Sequence, residues 1–172
     1  MELIPFTAQY FPILASWFKS EADVVQWGGP LMHYPLDDVQ LQALLNECTV
    51  TPPRRKCWMA EDAGKIVGHI ELGFDWRNGD AIVQRVAINP EFRGCGLAEP
   101  MVRLAVKEAF AIPEIARLEL NVFTFNTRAI SVYSRIGFKQ EGVRRSSTRV
   151  GDERWDGMIM AILRDEFQPF HI

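Results

Sequence analysis

The stretch "NPEFRGCGLAEP", residues 89 to 100, places two glycines one residue apart between two runs of different periodicity. The preceding "AIVQRVAI" (81 to 88) is apolar and typical of a buried strand, and "LAEPMVRLAVKEAF" (97 to 110) has apolar residues at helical spacing. The sequence therefore predicts a strand, a glycine loop and a helix in succession. A helix N-terminus exposes unpaired N–H groups with partial positive charge, and Gly94 and Gly96 leave those donors accessible to an anion.

Two common kinds of phosphate-binding loop do not fit this stretch. A Walker loop needs Gly-Lys-Ser/Thr at its end, where this chain has Leu97, Ala98 and Glu99. A dinucleotide fingerprint needs its third glycine at position 99, which is Glu99. These departures exclude a P-loop NTPase and a Rossmann dinucleotide domain, and they leave a pyrophosphate-binding loop of another kind.

The rest of the chain alternates between helical and extended patterns. Residues before the linker "TVTPPRR" (49 to 55) have mostly helical spacing, and "DAGK" joins two short β-rich runs as a hairpin. Further on, "RLELNVFTFN" predicts a strand, "TRAISVYSRIG" a short helix ended by glycine, and "VGDE" a turn between two final strands. The pattern predicts an α/β chain with a mixed sheet.

Composition excludes several partner classes. The 172 residues suit a single domain, and 19 Lys plus Arg against 22 Asp plus Glu give a net charge of -3, which disfavours nucleic acid and anionic membranes as partners. Cys48, Cys57 and Cys95 lack the paired spacing of a zinc site, so we expect no metal. The start "MELIPFTAQY" lacks the basic residues of a secretory signal, and we expect a cytoplasmic protein.

The glycine loop and a second segment together resemble the GNAT superfamily of N-acetyltransferases. The coenzyme A signature of that family, Q/R-x-x-G-x-G/A between a strand and a helix, is matched by Arg93, Gly96 and Ala98. The second segment, "NVFTFNTRAISVYSRIGFKQEG", is similar to another motif of the family, with Asn, Ala, Tyr and Gly-Phe at Asn126, Ala129, Tyr133, Gly137 and Phe138. The end of the chain is most similar to the branch that acetylates the N-termini of ribosomal proteins.

The resemblance implies a GNAT fold over residues 1–172. The sheet would be mixed and mostly antiparallel, with six to seven strands and about four flanking helices, splayed between the strands at 81–88 and 117–124. Residues 56–163 would form the core that binds coenzyme A, and 1–55 the variable part on the side of the acceptor. The resemblance also implies a set of residues that contact acetyl-CoA, namely Val86, Ala87, Ile88, Arg93, Gly94, Cys95, Gly96, Leu97, Ala98, Asn126 and Tyr133.

The resemblance implies direct transfer of an acetyl group from acetyl-CoA to a primary amine within a ternary complex. Tyr133 would protonate the leaving thiolate, because such an acid eases departure of a thiol with pKa near 8.5. Two carboxylates, Asp80 and Glu71, compete with a water relay as the base that deprotonates the amine. The glutamate of the ribosomal branch would fall at Asn121, which cannot act as a base.

Several interpretations stay open at this point. The acceptor is a protein N-terminus, a lysine or a small-molecule amine, and the alternative function is a non-catalytic sensor domain that binds CoA. Arg144, Arg145, Arg149 and Arg154 form a local basic cluster, either a solvated strand face or a contact to the adenosine phosphate or an acidic acceptor. The apolar residues of the tail, Phe167, Phe170 and Ile172, predict a homodimer interface.

Overall fold

A computed structural model describes residues 1–167 of the chain. The strands are β1 (Glu2–Pro5), β2 (Arg55–Asp62), β3 (Lys65–Asp75), β4 (Asp80–Ile88), β5 (Arg117–Phe123), β6 (Lys139–Val150) and β7 (Glu153–Leu163). The helices are α1 (Phe11–Ser16), α2 (Glu21–Gly28), α3 (Asp38–Cys48), α4 (Ala98–Phe110) and α5 (Thr127–Ile136). No helix among these residues is long and apolar enough to cross a membrane.

All seven strands belong to one sheet in the order β1-β2-β3-β4-β5-β7-β6. Only β4 and β5 run parallel, and the other neighbouring pairs are antiparallel. The parallel pairing is short, because it begins at Asp80 with Arg117 and ends at Val83 with Leu120. The predicted mixed sheet, splayed between these two strands, is confirmed.

The two faces of the sheet carry two separate apolar cores. One core packs α4 against the central strands, with fully buried Met101, Val102 and Ala105 on the helix face. The other core lies under α1, α2 and α3, and contains Leu14 and Leu41 without exposed surface. Each layer buries the apolar stripe of its helices against the sheet, as two-sided α/β packing requires.

Residues 1–55 differ in part from the helical pattern predicted for them. Glu2–Pro5 form an edge strand on β2, with Leu3 opposite Ala60. The spacing in residues 7 to 19 produces a 3-10 turn at Ala8–Tyr10 followed by the six-residue α1, because Pro12 fits only the first turn of a helix. The helix predicted behind Pro35 is α3, whose first turn is capped by the Asp37 side chain on the Gln40 amide.

The tail residues proposed for a dimer interface divide between described and undescribed parts of the chain. Phe167 packs on Phe110 of its own chain, with ring centroids 5.5 Å apart. Phe170 and Ile172 lie outside the described residues. The homodimer therefore stays a prediction.

Candidate functional site

The sheet opens beyond Val83, and a cavity lies on each face beside the opening. Residues Gln84–Ile88 of β4 have no pairing with β5, although β4 stays paired with β3 up to Ile88. The cavity on the α4 and α5 face has a volume of about 600 Å³ and is called the loop cavity, because the glycine loop lines it together with Val86 and Ile88. The cavity on the α2 face has about 210 Å³ and is called the hairpin cavity, because Arg144, Thr148 and Gly157 of β6 and β7 help to line it.

The glycine loop presents unpaired backbone donors to the loop cavity. The amides of Gly94, Gly96 and Leu97 make no hydrogen bond within the described part of the chain, and no side chain caps α4. Gly94 and Gly96 have φ of 83° and 75°, a region that other residues rarely adopt, and a Cβ on either would meet open space. The start of α4 therefore forms an accessible cluster of N–H groups suited to an anion.

Two arginines add positive charge to the same cavity. Arg93 and Arg128 line it, and neither makes an ion pair with another described residue. Glu99 is the one acid among the described residues of the lining. Its carboxylate accepts from Arg135 over 2.9 Å and from Arg103 over 2.6 Å, and these hydrogen bonds lower the pKa of its carboxyl, that from Arg135 most. The local charge of Glu99 is thus compensated, and the potential at the loop stays positive.

The second motif positions two side chains at the loop cavity. Asn126 caps α5, since its side-chain oxygen accepts from the Ala129 amide over 3.2 Å. Tyr133 lies one turn after Ala129 and packs edge-to-face on Phe138 at 5.9 Å between centroids. Gly137, at φ 116°, ends the helix and donates to the Tyr133 carbonyl.

The Tyr133 phenol is buried and available as a proton donor. Tyr133 is 7% exposed, and its hydroxyl makes no hydrogen bond to a described residue. Burial raises the pKa of Tyr133, because the phenolate would lose its hydration, so the hydroxyl stays protonated at neutral pH.

Most of the residues predicted to contact acetyl-CoA line the loop cavity. They are Val86, Ile88, Arg93, Gly94, Gly96, Leu97, Ala98, Asn126 and Tyr133. Two of the predicted residues are not in the lining: Ala87 packs against the core on the opposite face, and the exposed Cys95 points its thiol at the Arg93 carbonyl. Their roles, like those of the lining residues, stay predictions.

The structure does not bring either predicted carboxylate to the opening as a free base. Glu71 has no exposed surface, and its Oε2 accepts from Arg55 over 2.7 Å and from Arg85 over 2.9 Å. Asp80 lies at the start of β4 between Asp75 and Arg117, outside the lining of both cavities. At 3.3 Å per residue, Asp80 is about 13 Å along the strand from the first unpaired residue of β4.

A strained residue at the opening was not predicted from the sequence. Arg85 has φ of 51° at a register shift between β3 and β4, and the shift turns its carbonyl away from the ladder. That carbonyl accepts from the indole of Trp27 over 2.9 Å and lies 3.0 Å from Nδ1 of the fully buried His69. Burial lowers the pKa of His69, so its ring is neutral at pH 7.

Comparison with known proteins agrees with this geometry. The model of the acetyltransferase (GNAT) family matches residues 15–138. The chain belongs to this family. Over 112 residues it is 28% identical to a prophage-derived uncharacterised N-acetyltransferase of Bacillus subtilis, covering 64% of this chain and 63% of that protein. It is 26% identical over 144 residues to aminoglycoside N(6')-acetyltransferase type 1 of Klebsiella pneumoniae, covering 76% of this chain and 69% of the relative.

Solved structures share the fold over nearly the whole chain. The spermidine N-acetyltransferase of Vibrio cholerae, solved with CoA and spermine, superposes with a TM-score of 0.82 and covers 96% of both chains at 21% identity. At this identity the similarity concerns the fold, and the predicted GNAT architecture is confirmed.

Proposed function

We propose that this GNAT protein is an N-acetyltransferase that transfers the acetyl group of acetyl-CoA directly to a primary amine in a ternary complex. One observation carries the proposal: β4 and β5 separate beyond Val83, with the cavity of the glycine loop on one face of the opening and a second cavity on the other. Two substrates can thus approach one point from opposite faces, and no covalent acetyl-enzyme is needed.

The loop cavity receives the cosubstrate. The free amides of Gly94, Gly96 and Leu97 bind the pyrophosphate at the start of α4, and Arg93 and Arg128 supply countercharge. The strand edge at Val86–Ile88, which has no partner strand on the side of β5, lies alongside the pantetheine arm. The residues present therefore fit a long anionic thioester.

The hairpin cavity receives the acceptor. The amine nitrogen attacks the thioester carbonyl carbon, a C–N bond forms, the C–S bond breaks, and CoA leaves with the electron pair on sulfur. Tyr133 donates its proton to that sulfur and is reprotonated from solvent. Water takes the proton of the amine, since Glu71 is held by two arginines and Asp80 lies away from the opening.

The acceptor is a small-molecule amine rather than a protein N-terminus. Aminoglycoside N(6')-acetyltransferase and spermidine N-acetyltransferase, which are similar to this chain, are named for small-molecule amines. The non-catalytic CoA sensor finds no support, since the relatives are named as transferases. Tyr133 also lines the loop cavity, and its hydroxyl makes no hydrogen bond to a described residue.

The experiment is a thiol-release assay with acetyl-CoA and a panel of amines, together with calorimetric titration of CoA. We expect CoA binding in the micromolar range and amine-dependent thiol release. CoA binding without thiol release for any amine would favour the sensor, and absence of CoA binding would refute both functions.

A further inference from the structure

The hairpin cavity has an unexpected charge for a relative of enzymes named for polycations. Among the described residues, its lining contains two arginines, Arg85 and Arg144, and neither an aspartate nor a glutamate. Spermine and aminoglycosides carry several ammonium groups at neutral pH, and a site for them needs carboxylates or other acceptors of charge-assisted hydrogen bonds. This cavity offers the opposite charge.

Arg85 contributes hydrogen-bond donors that have no partner within the described chain. Its Nη1 donates to Glu71 Oε2 over 2.9 Å, while Nε and Nη2 make no hydrogen bond to a described residue. Nε is also fully buried, and a buried donor without an acceptor is costly and rare in native structures. Nη2, the other donor without a partner, can donate a charge-assisted hydrogen bond to an oxygen of a carboxylate or phosphate in the cavity.

Arg144 supplies the net positive charge of the cavity. Behind the cavity, Arg85 and Arg55 are balanced by Glu71 and Glu47, so that buried group is close to neutral. Arg144, in contrast, donates to the neutral amide oxygen of Asn121 over 2.6 Å and has no carboxylate partner among the described residues. Arg85 therefore provides a hydrogen-bond donor without a described partner. Arg144 provides a positive charge that no described carboxylate compensates.

We propose that the acceptor amine also carries an anionic group, a carboxylate or a phosphate monoester, which Arg85 and Arg144 bind in the hairpin cavity. This inference rests on the proposed acetyl transfer and names its substrate class. A polycation would place its extra ammonium groups against Arg144 in a cavity whose described lining holds no carboxylate, and like charges in a partly desolvated site disfavour binding. The arginines thus select for an anionic amine and against a polyamine.

The size of the cavity restricts the acceptor further. Its volume of about 210 Å³ lies below the range of drug-sized sites. Trp27, Val122 and Phe123 form apolar parts of the wall, so the body of the acceptor is small and at least partly apolar. A compound of amino-acid size fits this description.

The test compares amines that differ only in the anionic group. Glycine, β-alanine, γ-aminobutyrate and leucine are assayed against their carboxamides, and phosphoethanolamine against ethanolamine, with spermidine and kanamycin as polycations. We expect the best anionic amine to exceed both its neutral analogue and spermidine at least tenfold in kcat/KM. The carboxylate and phosphate arms show which anion the site takes. A preference for a polycation or a neutral amine would overturn the inference while leaving acetyl transfer intact, whereas no acetylation of any amine would refute the transfer itself.

Variants of the exposed hairpin test the same inference without disturbing the core. Arg144→Gln should raise the KM for the anionic amine at least tenfold and abolish the discrimination against its neutral analogue. Arg144→Glu should go further and improve kcat/KM for spermidine. Arg145→Gln is the matched control, because Arg145 is an exposed neighbour that does not line the cavity. CoA affinity should stay within twofold in all three, and equal effects at 144 and 145 would show that the general charge of the hairpin, not this site, matters.

Discussion

The indole Nε1 of Trp27 donates to the carbonyl oxygen of Arg85 over 2.9 Å, and this bond joins α2 to the left-handed residue at which the sheet opens. A positive φ at a residue with a long side chain costs about 1–2 kcal/mol and persists only where surrounding contacts fix it. Trp27 and His69 both contact that carbonyl, so α2 and β3 together hold the strand in the shape that directs the Arg85 guanidinium.

Trp27→Phe removes this donor and keeps an aromatic ring in the core. We expect a stability loss of about 1–3 kcal/mol, since Trp27 is 7% exposed and its packing shrinks. The acceptor KM should rise severalfold with unchanged CoA affinity, because Arg85 is less firmly placed. Trp76→Phe is the control, as Trp76 makes the same kind of bond to the Pro53 carbonyl at 2.7 Å, outside both cavities. A similar change of KM in both variants would contradict a specific role of Trp27.

Gly96→Ala tests the anion-binding loop with an unusually close control at Gly64. Gly96 and Gly64 have φ of 75° and 74°, and a Cβ at either meets no atom within 4 Å. Both substitutions should therefore cost a similar amount of stability, roughly 1–2 kcal/mol. Only Gly96→Ala should weaken CoA binding, by tenfold or more in calorimetry, because its methyl group covers the phosphate side of the loop. Unchanged CoA affinity in Gly96→Ala would remove this loop from the cosubstrate site.

The pH dependence of stability should report the neutral, buried His69. Burial lowers the folded-state pKa of His69 below the usual value near 6.5. The charge of Glu71 raises this pKa by a smaller amount, and the charges of Arg85 and Arg55 lower it further. Below pH 6.5 the unfolded chain binds a proton at His69 that the native ring does not bind. The free energy of unfolding is therefore not reduced by this residue above pH 6.5. Stability is lost as the pH falls from 6.5 toward the folded pKa, with a slope of up to about 1.4 kcal/mol per pH unit.

Urea titrations between pH 5 and 7 measure this slope. His69→Gln should flatten it, whereas His33→Gln should leave it unchanged, because His33 is exposed. Parallel profiles for wild type and His69→Gln would show that the ring is not the titrating group.

The sequence predicted the parts of this site that depend on local signals. The strand, the glycine loop, α4 and the helix ended by Gly137 follow from periodicity and from backbone angles that favour glycine, and all four are present. The edge strand Glu2–Pro5 was missed, since its four residues become a strand only by pairing with β2. The shift at Arg85 and the ion pairs of Glu71 were also missed, because they join residues 14 to 16 positions apart across neighbouring strands.

Variants of the two carboxylates separate a base from a structural ion pair. Glu71→Gln should lower the free energy of unfolding by about 3–5 kcal/mol, because two guanidinium groups lose their shared buried counterion. Asp80→Asn should change stability by less than about 0.5 kcal/mol, since Asp80 makes no ion pair with a described residue. We expect the turnover of Asp80→Asn to stay within threefold of wild type. The lower arm of its pH profile for turnover should also be unchanged. A loss of turnover near 10²-fold with a flattened lower arm would identify Asp80 as the base.

Tyr133→Phe tests the proton donor with the smallest possible change. The ring contact to Phe138 at 5.9 Å is retained, and no hydrogen bond to a described residue is lost, so the melting temperature should change little. Turnover should fall by roughly 10²-fold to 10⁴-fold, since the thiolate must then leave without a proton. Tyr10→Phe, at a tyrosine outside both cavities, serves as control and should retain full activity.

Turnover, melting temperature and CoA affinity of Tyr133→Phe together separate the roles of the hydroxyl. Normal turnover with lower stability would make it a structural partner, and weaker CoA binding alone would make it a cosubstrate contact. Because burial raises its pKa, the phenol remains protonated throughout the neutral range, and its loss should lower turnover by the same factor from pH 6 to 8. A turnover within about threefold of wild type across that range would exclude Tyr133 as the general acid.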